Sequence, residues 1–337
     1  MNISRSVLSN MTDEQVISAK RFFDRFSEFK KLTKLYSVYI EGARTALANT
    51  GNGRMYVNYN IDGTVTGRIS NSGANIERGK NGKIGVSFHT LPRESLDVNI
   101  RDYVVAPKGH DFITIDMKAM ELRVLAHVAN EQNMINAFRS GVDLHSYSAG
   151  LTFKKDPSKV SKLERQIAKE VSFLTVYGGT AYTLASKRNI PEERAEEIID
   201  SWMKAFPGVG RYMNTVQDYI EQFKYAKTIF GRRRNLPNID SPFKGVRREA
   251  FRQGLNFTIQ SAASDILLCG MLGVIEKLKG MDAKVVATVH DSIELIAPKN
   301  ETRRVVELVK EELENYHYLR DNFNIDFKVP LAVDIEV

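Results

Sequence analysis

Arg165, Lys169, Phe173 and Tyr177 follow one another at intervals of four residues, and Gly178-Gly179 comes next. In a helix of about 3.6 residues per turn, positions so spaced stack on one face. They make a single stripe of two cations, two aromatic rings and a glycine end. Burying its cationic half unpaired would be costly. Such a ladder suits a triphosphate attached to a base. An Arg forks onto outer phosphate oxygens, a Lys places a point charge nearer the reacting phosphorus, and a ring meets the sugar or base. A solvated basic face with a partly buried aromatic end has the same spacing. The stripe alone therefore leaves both readings open.

Two carboxylates far apart in the chain are the next candidates. Phe112-Ile113-Thr114-Ile115-Asp116 reads as a strand ending in an acid, followed by a helix over residues 121–127 with Leu122, Leu125 and Ala126 apolar. Residues 285–289 read as a strand, His290-Asp291-Ser292 as a tight turn, and residues 293–296 as the returning strand. An acid at a strand end or hairpin tip is a frequent place for a metal ligand, although one instance alone proves little. Asp143 reads as the cap of a helix opening at Leu144, with His145 in its first turn. A His there is either a structural hydrogen-bonder or a phosphate donor. Arg252, Asn256 and Gln260 repeat at four-residue intervals within an apolar stretch over residues 247–279 that reads as one long or two abutting helices. Polar groups on one face need partners, and the minor-groove acceptors present at every DNA base pair would serve.

The remaining chain must position these groups. Residues 12–48 read as helical, opening on Thr12-Asp13-Glu14-Gln15, with Phe22, Phe23, Phe26, Phe29, Leu32 and Leu35 as an apolar stripe opposite a basic face. Residues 54–70 alternate as a strand up to Asp62-Gly63, read as a turn, and continue into Thr66-Gly67-Arg68, where Arg68 could reach a backbone or groove edge. Residues 71–100 read as a long loop and 103–105 as a short strand. The main helix should run over 161–177, and a further helix over 192–206 should end at Pro207-Gly208. Residues 210–224 read as helical, 231–237 as a basic turn, 301–316 as a helix and 329–337 as a last strand.

Composition bounds the function. The 337 residues carry 48 Lys and Arg against 41 Asp and Glu, a net charge of +7, which favours an anionic partner and nucleic acid first. The single cysteine, Cys269, excludes a disulfide framework, points to a reducing compartment and reads as a small core residue. No apolar run approaches about 18 residues, so no membrane span is expected, and the start has no signal-peptide core.

Taken together, these pieces resemble the polymerase domain of family A DNA polymerases, the bacterial polymerase I and phage type, from about residue 30 to the C-terminus. Residues 116–123, opening on Asp116 and including Glu121, resemble that family's motif A. Residues 165–178 resemble its motif B and Val289-His290-Asp291 its motif C. Thr66-Gly67-Arg68, the Arg252/Asn256/Gln260 ladder and the 231–237 turn match in kind and order. Three positions depart from the pattern: Met117 for the usual Tyr, Leu174 for Gly, and Ser292 for Glu. They suggest a divergent, phage-like branch.

The resemblance implies an α+β, right-hand polymerase fold with an antiparallel-sheet palm, helical fingers and a reduced thumb. Residues 1–50 would be the thumb base, 51–134 and 236–337 the palm, and 135–235 the fingers. It implies DNA polymerisation with two Mg2+ ions, for which Mn2+ can substitute, about 3.5–4 Å apart. Asp116 and Asp291 would hold them. Arg165, Lys169, His145, Phe173, Tyr177 and Glu121 would bind the dNTP, with Lys169 also acting on the leaving pyrophosphate. Arg68, Arg252, Asn256, Gln260, His290 and Gly178 would meet primer-template DNA. Single-subunit RNA polymerases share this architecture, and Ser292 resembles theirs. However, Glu121 beside Phe173 would fill the space of a ribose 2′-OH, so deoxynucleotides are expected. A catalytically silent relative that binds primer-template is the reading from another class. With only about 65 residues before Arg68, no proofreading is expected in this chain. A separate subunit supplying thumb or 3′–5′ exonuclease, and a cytoplasmic location in a bacterium or phage-infected host, are expected with it.

Overall fold

A computed structural model describes residues 12–75, 82–91, 99–315 and 317–337. The chain divides into two compact units, Met1–Asn60 with Ser70–Val105, and Ile61–Ile69 with Ala106–Val337.

The first unit is led by helix α1, Asp13–Lys34, which opens on a capping box: Thr12 accepts from the Gln15 backbone and the Gln15 side chain returns to Thr12. It runs through a π-helical turn, Leu35–Ile40, into α2, Glu41–Thr50. The expected helix is therefore continuous but wider at one turn. Leu35 and Tyr39 on that turn pack with Val86 and Leu91 as a small core. Strands β1, Val57–Asn60, and β2, Ser70–Gly73, pair antiparallel. The expected turn at Asp62-Gly63 is instead part of a longer connection, and the expected loop after residue 70 begins as this strand. Most of the Gly- and Lys-rich stretch after it lies outside the described residues. Tyr103 ends a short 3-10 turn, Ile100–Tyr103, rather than starting a strand.

The second unit holds the candidate chemistry. Its sheet has the order β6-β7-β3-β8, all antiparallel. The strands are β3 (His110–Met117), β6 (Lys284–Val289), β7 (Ser292–Pro298) and β8 (Val333–Glu336). Alternation decides the faces. Ile113, Ile115, Met117, Ile293 and Leu295 are buried in the main core. Thr114, Asp116, Ser292 and Glu294 fall on the other side.

Helices then follow β3. They are α3 (Met120–Val128), α4 (Gln132–Arg139), α5 (Leu144–Phe153), α6 (Lys162–Val176), α7 (Ala181–Arg188), α8 (Glu192–Ala205) and α9 (Pro207–Phe223). Pro207 does not simply end α8. Its fixed φ and missing N–H suit the first position of α9. The buried Glu131 carboxylate accepts from the backbone N–H of Asn133 and of Gly208, tying the starts of α4 and α9 together. The basic turn opens between strands β4, Tyr225–Lys227, and β5, Arg233–Asn235.

A single helix, α10, spans Lys244–Lys277. Contrary to the sequence expectation, it has the length and mean hydropathy, 1.5 over its best window, of a membrane span. That window is 67% buried inside the protein, so its apolar surface is spent on the core. Cys269 sits in it, buried, with its thiol pushed up to about 11 by desolvation. Two helices close the chain before β8, α11 (Thr302–Glu314) and α12 (His317–Phe323), where one had been expected.

Candidate active site

Register brings the two distant acids together. Asp116 is the last but one residue of β3 and opposes Ser292 on β7, the residue after Asp291. The backbone N–H of Met117 donates to the Asp291 carbonyl at 3.1 Å. Only His290 and Asp291 separate β6 from β7, and His290 is left-handed, with φ of 58°. A turn this short fixes the Asp291 backbone beside the end of β3. Among the described residues no three His, Cys, Asp or Glu side chains converge on a point. Two carboxylates with phosphates and water as further donors fit a hard cation such as Mg2+, which is rarely held by an all-protein cage.

Helix α6 presents the cationic stripe as the spacing requires. Ser161 and Glu164 form its capping box, and Lys155 donates to Glu164 at 2.5 Å. These contacts hold the half-buried Glu164 carboxyl at about 2. Ile167, Ala168 and Val171 are buried, and the buried Trp202 indole donates to Ser172 at 3.2 Å. The opposite side then exposes Arg165 and Lys169. With Phe173 and Tyr177 they line a cavity of about 800 Å³. The Phe173 and Tyr177 rings stack 6.3 Å apart at 17°, and His145 lies 6.3 Å from Phe173. Burial, joined by the nearby Lys169 and Arg165 charges and opposed by that of Asp143, lowers the His145 pKa to about 4, so near pH 7 it is a neutral imidazole. Its Nδ1 is buried without a hydrogen-bond partner among the described residues.

Arg165 has a partner that the sequence did not reveal. Its Nε and Nη2 donate to the two Asp143 oxygens at 2.8 and 2.9 Å. Asp143 also caps α5 through the Ser146 backbone N–H. Although desolvation opposes it, this set of donors holds the Asp143 carboxyl well below its ordinary range. The only sequence signal was the cap itself, because Asp143 and Arg165 lie 22 residues apart.

The stripe connects to the acids through Glu121. This carboxylate is 6% exposed and accepts from the Tyr177 hydroxyl and, at 2.8 Å, from Arg68 Nη2. The same Nη2 lies 3.4 Å from Asp291 Oδ1. Burial and the Glu121 contact push the Tyr177 phenol well above its ordinary value. The loop bearing Arg68 is held in turn by α10: Ser264 Oγ donates to the Gly67 carbonyl at 3.1 Å. Arg232, paired with the buried Asp265 at 2.6 Å, packs where a Gly67 side chain would be.

Gly178 has φ of 65°, and a Cβ there would meet the Arg252 stem, with Cδ at 2.7 Å. What the glycine visibly makes room for is thus Arg252, which pairs with Glu249. Leu174 occupies the space of a Gly179 side chain. Asn256 follows on α10 with its Oδ1 buried and unpartnered among the described residues, and Gln260 is half-buried. His290 is exposed at the hairpin tip.

The family described as DNA polymerase family A matches residues 1–337. The chain is 32% identical over 323 residues to the thermostable DNA polymerase I of Thermus thermophilus, covering 96% of this chain and 36% of that protein. It is 33% identical over 313 residues to the DNA polymerase I of Chloroflexus aurantiacus, covering 92% and 31%. It thus spans about a third of the length of these relatives. A solved structure, the POL domain of Pol1 from M. smegmatis in complex with DNA primer-template and dNTP, superposes with a TM-score of 0.78 at 30% identity. The match covers 90% of this chain and 50% of that one. With the family match running over residues 1–337 and a mixed helical and antiparallel-sheet architecture, the chain belongs to DNA polymerase family A.

Proposed function

We propose that the chain is a template-directed DNA polymerase, adding deoxynucleotides to a primer 3′ end. The observation that carries this reading is the unbroken set of contacts from the α6 stripe through Tyr177, Glu121 and Arg68 to Asp291, with Asp116 on the adjoining strand. Residues 51–134 and 236–337 would act as palm, 135–235 as fingers and 1–50 as thumb base.

Asp116 and Asp291 would hold two Mg2+ ions, which supply activation of the primer 3′ oxygen and a clamp on the triphosphate. The protein's own groups do the rest. Asp143 occupies Nε and Nη2 of Arg165, which keeps the guanidinium plane fixed and leaves Nη1 for a phosphate oxygen. Lys169, one turn further along and exposed, would give a proton or charge to the departing pyrophosphate. Neutral His145 would offer an N–H to phosphate. Phe173 would pack on the sugar, and Glu121, buried against the neighbouring Tyr177, would leave no room for a 2′-hydroxyl. Tyr177 would stack at the templating position, while Arg68, Arg252, Asn256, Gln260, His290 and Gly178 would follow the duplex. The buried, unpartnered Asn256 amide oxygen supports that assignment, since such a group is expensive to leave unpaired.

We further assign the chain to the cytoplasm, and a separate thumb- or exonuclease-bearing subunit to its working form. Primer extension with Mg2+, comparing wild type with Asp291→Ala, tests the central reading. Extension by wild type and at least about a thousandfold loss in the variant are expected. Primer-template binding without extension by wild type would instead identify a silent relative, and preference for ribonucleotides an RNA polymerase. Recovery of the native protein without a partner, making long products by itself, would refute the second subunit.

A further inference from the structure

The sheet face that bears Asp116 carries a buried carboxylate with no cation paired to it among the described residues. On β3 and β7, Asp116 opposes Ser292 and Thr114 opposes Glu294, so all four side chains share one face. Glu294 is buried, and it is held only by hydroxyls: Thr114 Oγ1 donates to its Oε2 at 2.6 Å and Ser292 Oγ to its Oε1 at 2.7 Å. Among the described residues no Lys, Arg or His pairs with it. A carboxylate so placed is costly unless positive charge reaches it. Asp334 and Glu336 reach the same face from β8 but are exposed, and Asp334 is paired with Lys118, so water screens both.

The position of Glu294 has its own logic. Asp334 already stands directly opposite Asp116 on β8, its charge offset by Lys118, and a carboxylate at residue 292 would crowd Asp116 from β7 as well, with Cβ atoms about 4.5–5.5 Å apart and like charges destabilising the strand pair. Glu294 occupies the diagonal position, about 7–8 Å from Asp116. That is far enough to relieve the repulsion and near enough to act on a cation bound there. Ser292, small and hydroxylated, turns from competitor into a clamp on Glu294.

We propose that Glu294 is a positioning residue for the divalent-cation site at Asp116 and Asp291. Fixed by Thr114 and Ser292, it raises the affinity of that site through its charge without ligating the ion. The proposal rests on the polymerase reading of those two acids. One charge removed at about 8 Å from a divalent ion, in a setting between protein surface and water, should weaken binding on the order of tenfold.

The test is titration of the metal-free full chain with Mn2+, following free Mn2+ by electron paramagnetic resonance, with thermal unfolding of each protein recorded in parallel. Glu294→Gln should bind about tenfold more weakly at nearly unchanged Tm, and Ser292→Glu added to it should restore affinity to within about threefold. Should Glu294→Gln fail to fold, Thr114→Val, which keeps the charge but frees it, should weaken binding measurably. Wild-type affinity in Glu294→Gln, or in Thr114→Val where that variant decides, overturns the proposal if Asp291→Asn still loses binding. If Asp291→Asn also binds like wild type, the metal site itself, and the proposal with it, is refuted.

Discussion

Replacing Arg68 with alanine removes the cation that reaches the buried Glu121 carboxylate. Removing one partner of a buried pair typically costs about 3–5 kcal/mol, because the other charge stays behind. Two features reduce that here. The Arg68 side chain is 35% exposed, so water already reaches it, and the Tyr177 hydroxyl remains as a donor to Glu121. The loss should therefore be about 2–3 kcal/mol, or about 3–4 °C in Tm for a chain of this size. Adding Glu121→Gln removes the stranded charge and should recover most of it. Urea unfolding of wild type, both single variants and the double variant gives the coupling directly. A coupling of about 1.5 kcal/mol or more is expected. If Arg68→Ala costs under about 0.5 kcal/mol, or if the two changes are additive within that margin, the contact carries no energy. The link between the α6 stripe and Asp291 would then not be a physical one.

Three further outcomes are expected. Glu121→Ala should lower the preference for deoxynucleotides over ribonucleotides, measured as the ratio of kcat/KM in single-nucleotide incorporation, by at least about tenfold; an unchanged ratio refutes its role beneath the sugar. Gly178→Ala forces a left-handed alanine against the Arg252 stem and should cost about 2 kcal/mol in urea unfolding, where a loss under about 0.5 kcal/mol would contradict the geometry. His145, held at about 4 when folded against about 6.5 when unfolded, adds stability that is full above about pH 6.5 and is lost as the pH falls toward 4. His145→Gln should flatten the stability profile over that window, and a profile parallel to wild type would exclude the burial argument.

What was legible in the sequence follows its local periodicities. The α6 stripe, the Asp143 cap and the strand-turn-strand around Asp291 are all set by residues within a few positions of one another, and each lies where spacing indicated. Contacts across long loops were not legible. Nothing near Arg165 announces Asp143, and nothing near Glu294 announces Thr114. Residues 103–105 have strand-forming side chains but pair with no strand among the described residues, and Pro207 looks like a terminator until Glu131 is seen receiving the start of the next helix. The membrane-like apolarity of α10 was underestimated because its serines and alanines dilute the pattern, although they pack as core.

Helix α10 also ties distant parts of the second unit to one rod. Near its start it carries Arg252 against Gly178, at mid-length it grips the Arg68 loop through Ser264 and Asp265, and toward its end Gly270 and Gly273 lie flush against Leu313 and Glu312 of α11. Like a camshaft, it cannot be turned at one bearing without displacing the others. A bulky residue grafted onto Gly273, about two and a half helical turns beyond Ser264 and about six beyond Arg252, would push the helix off Glu312 and load both grips along the same rod, making that remote seam a place from which to tune the chemistry from behind.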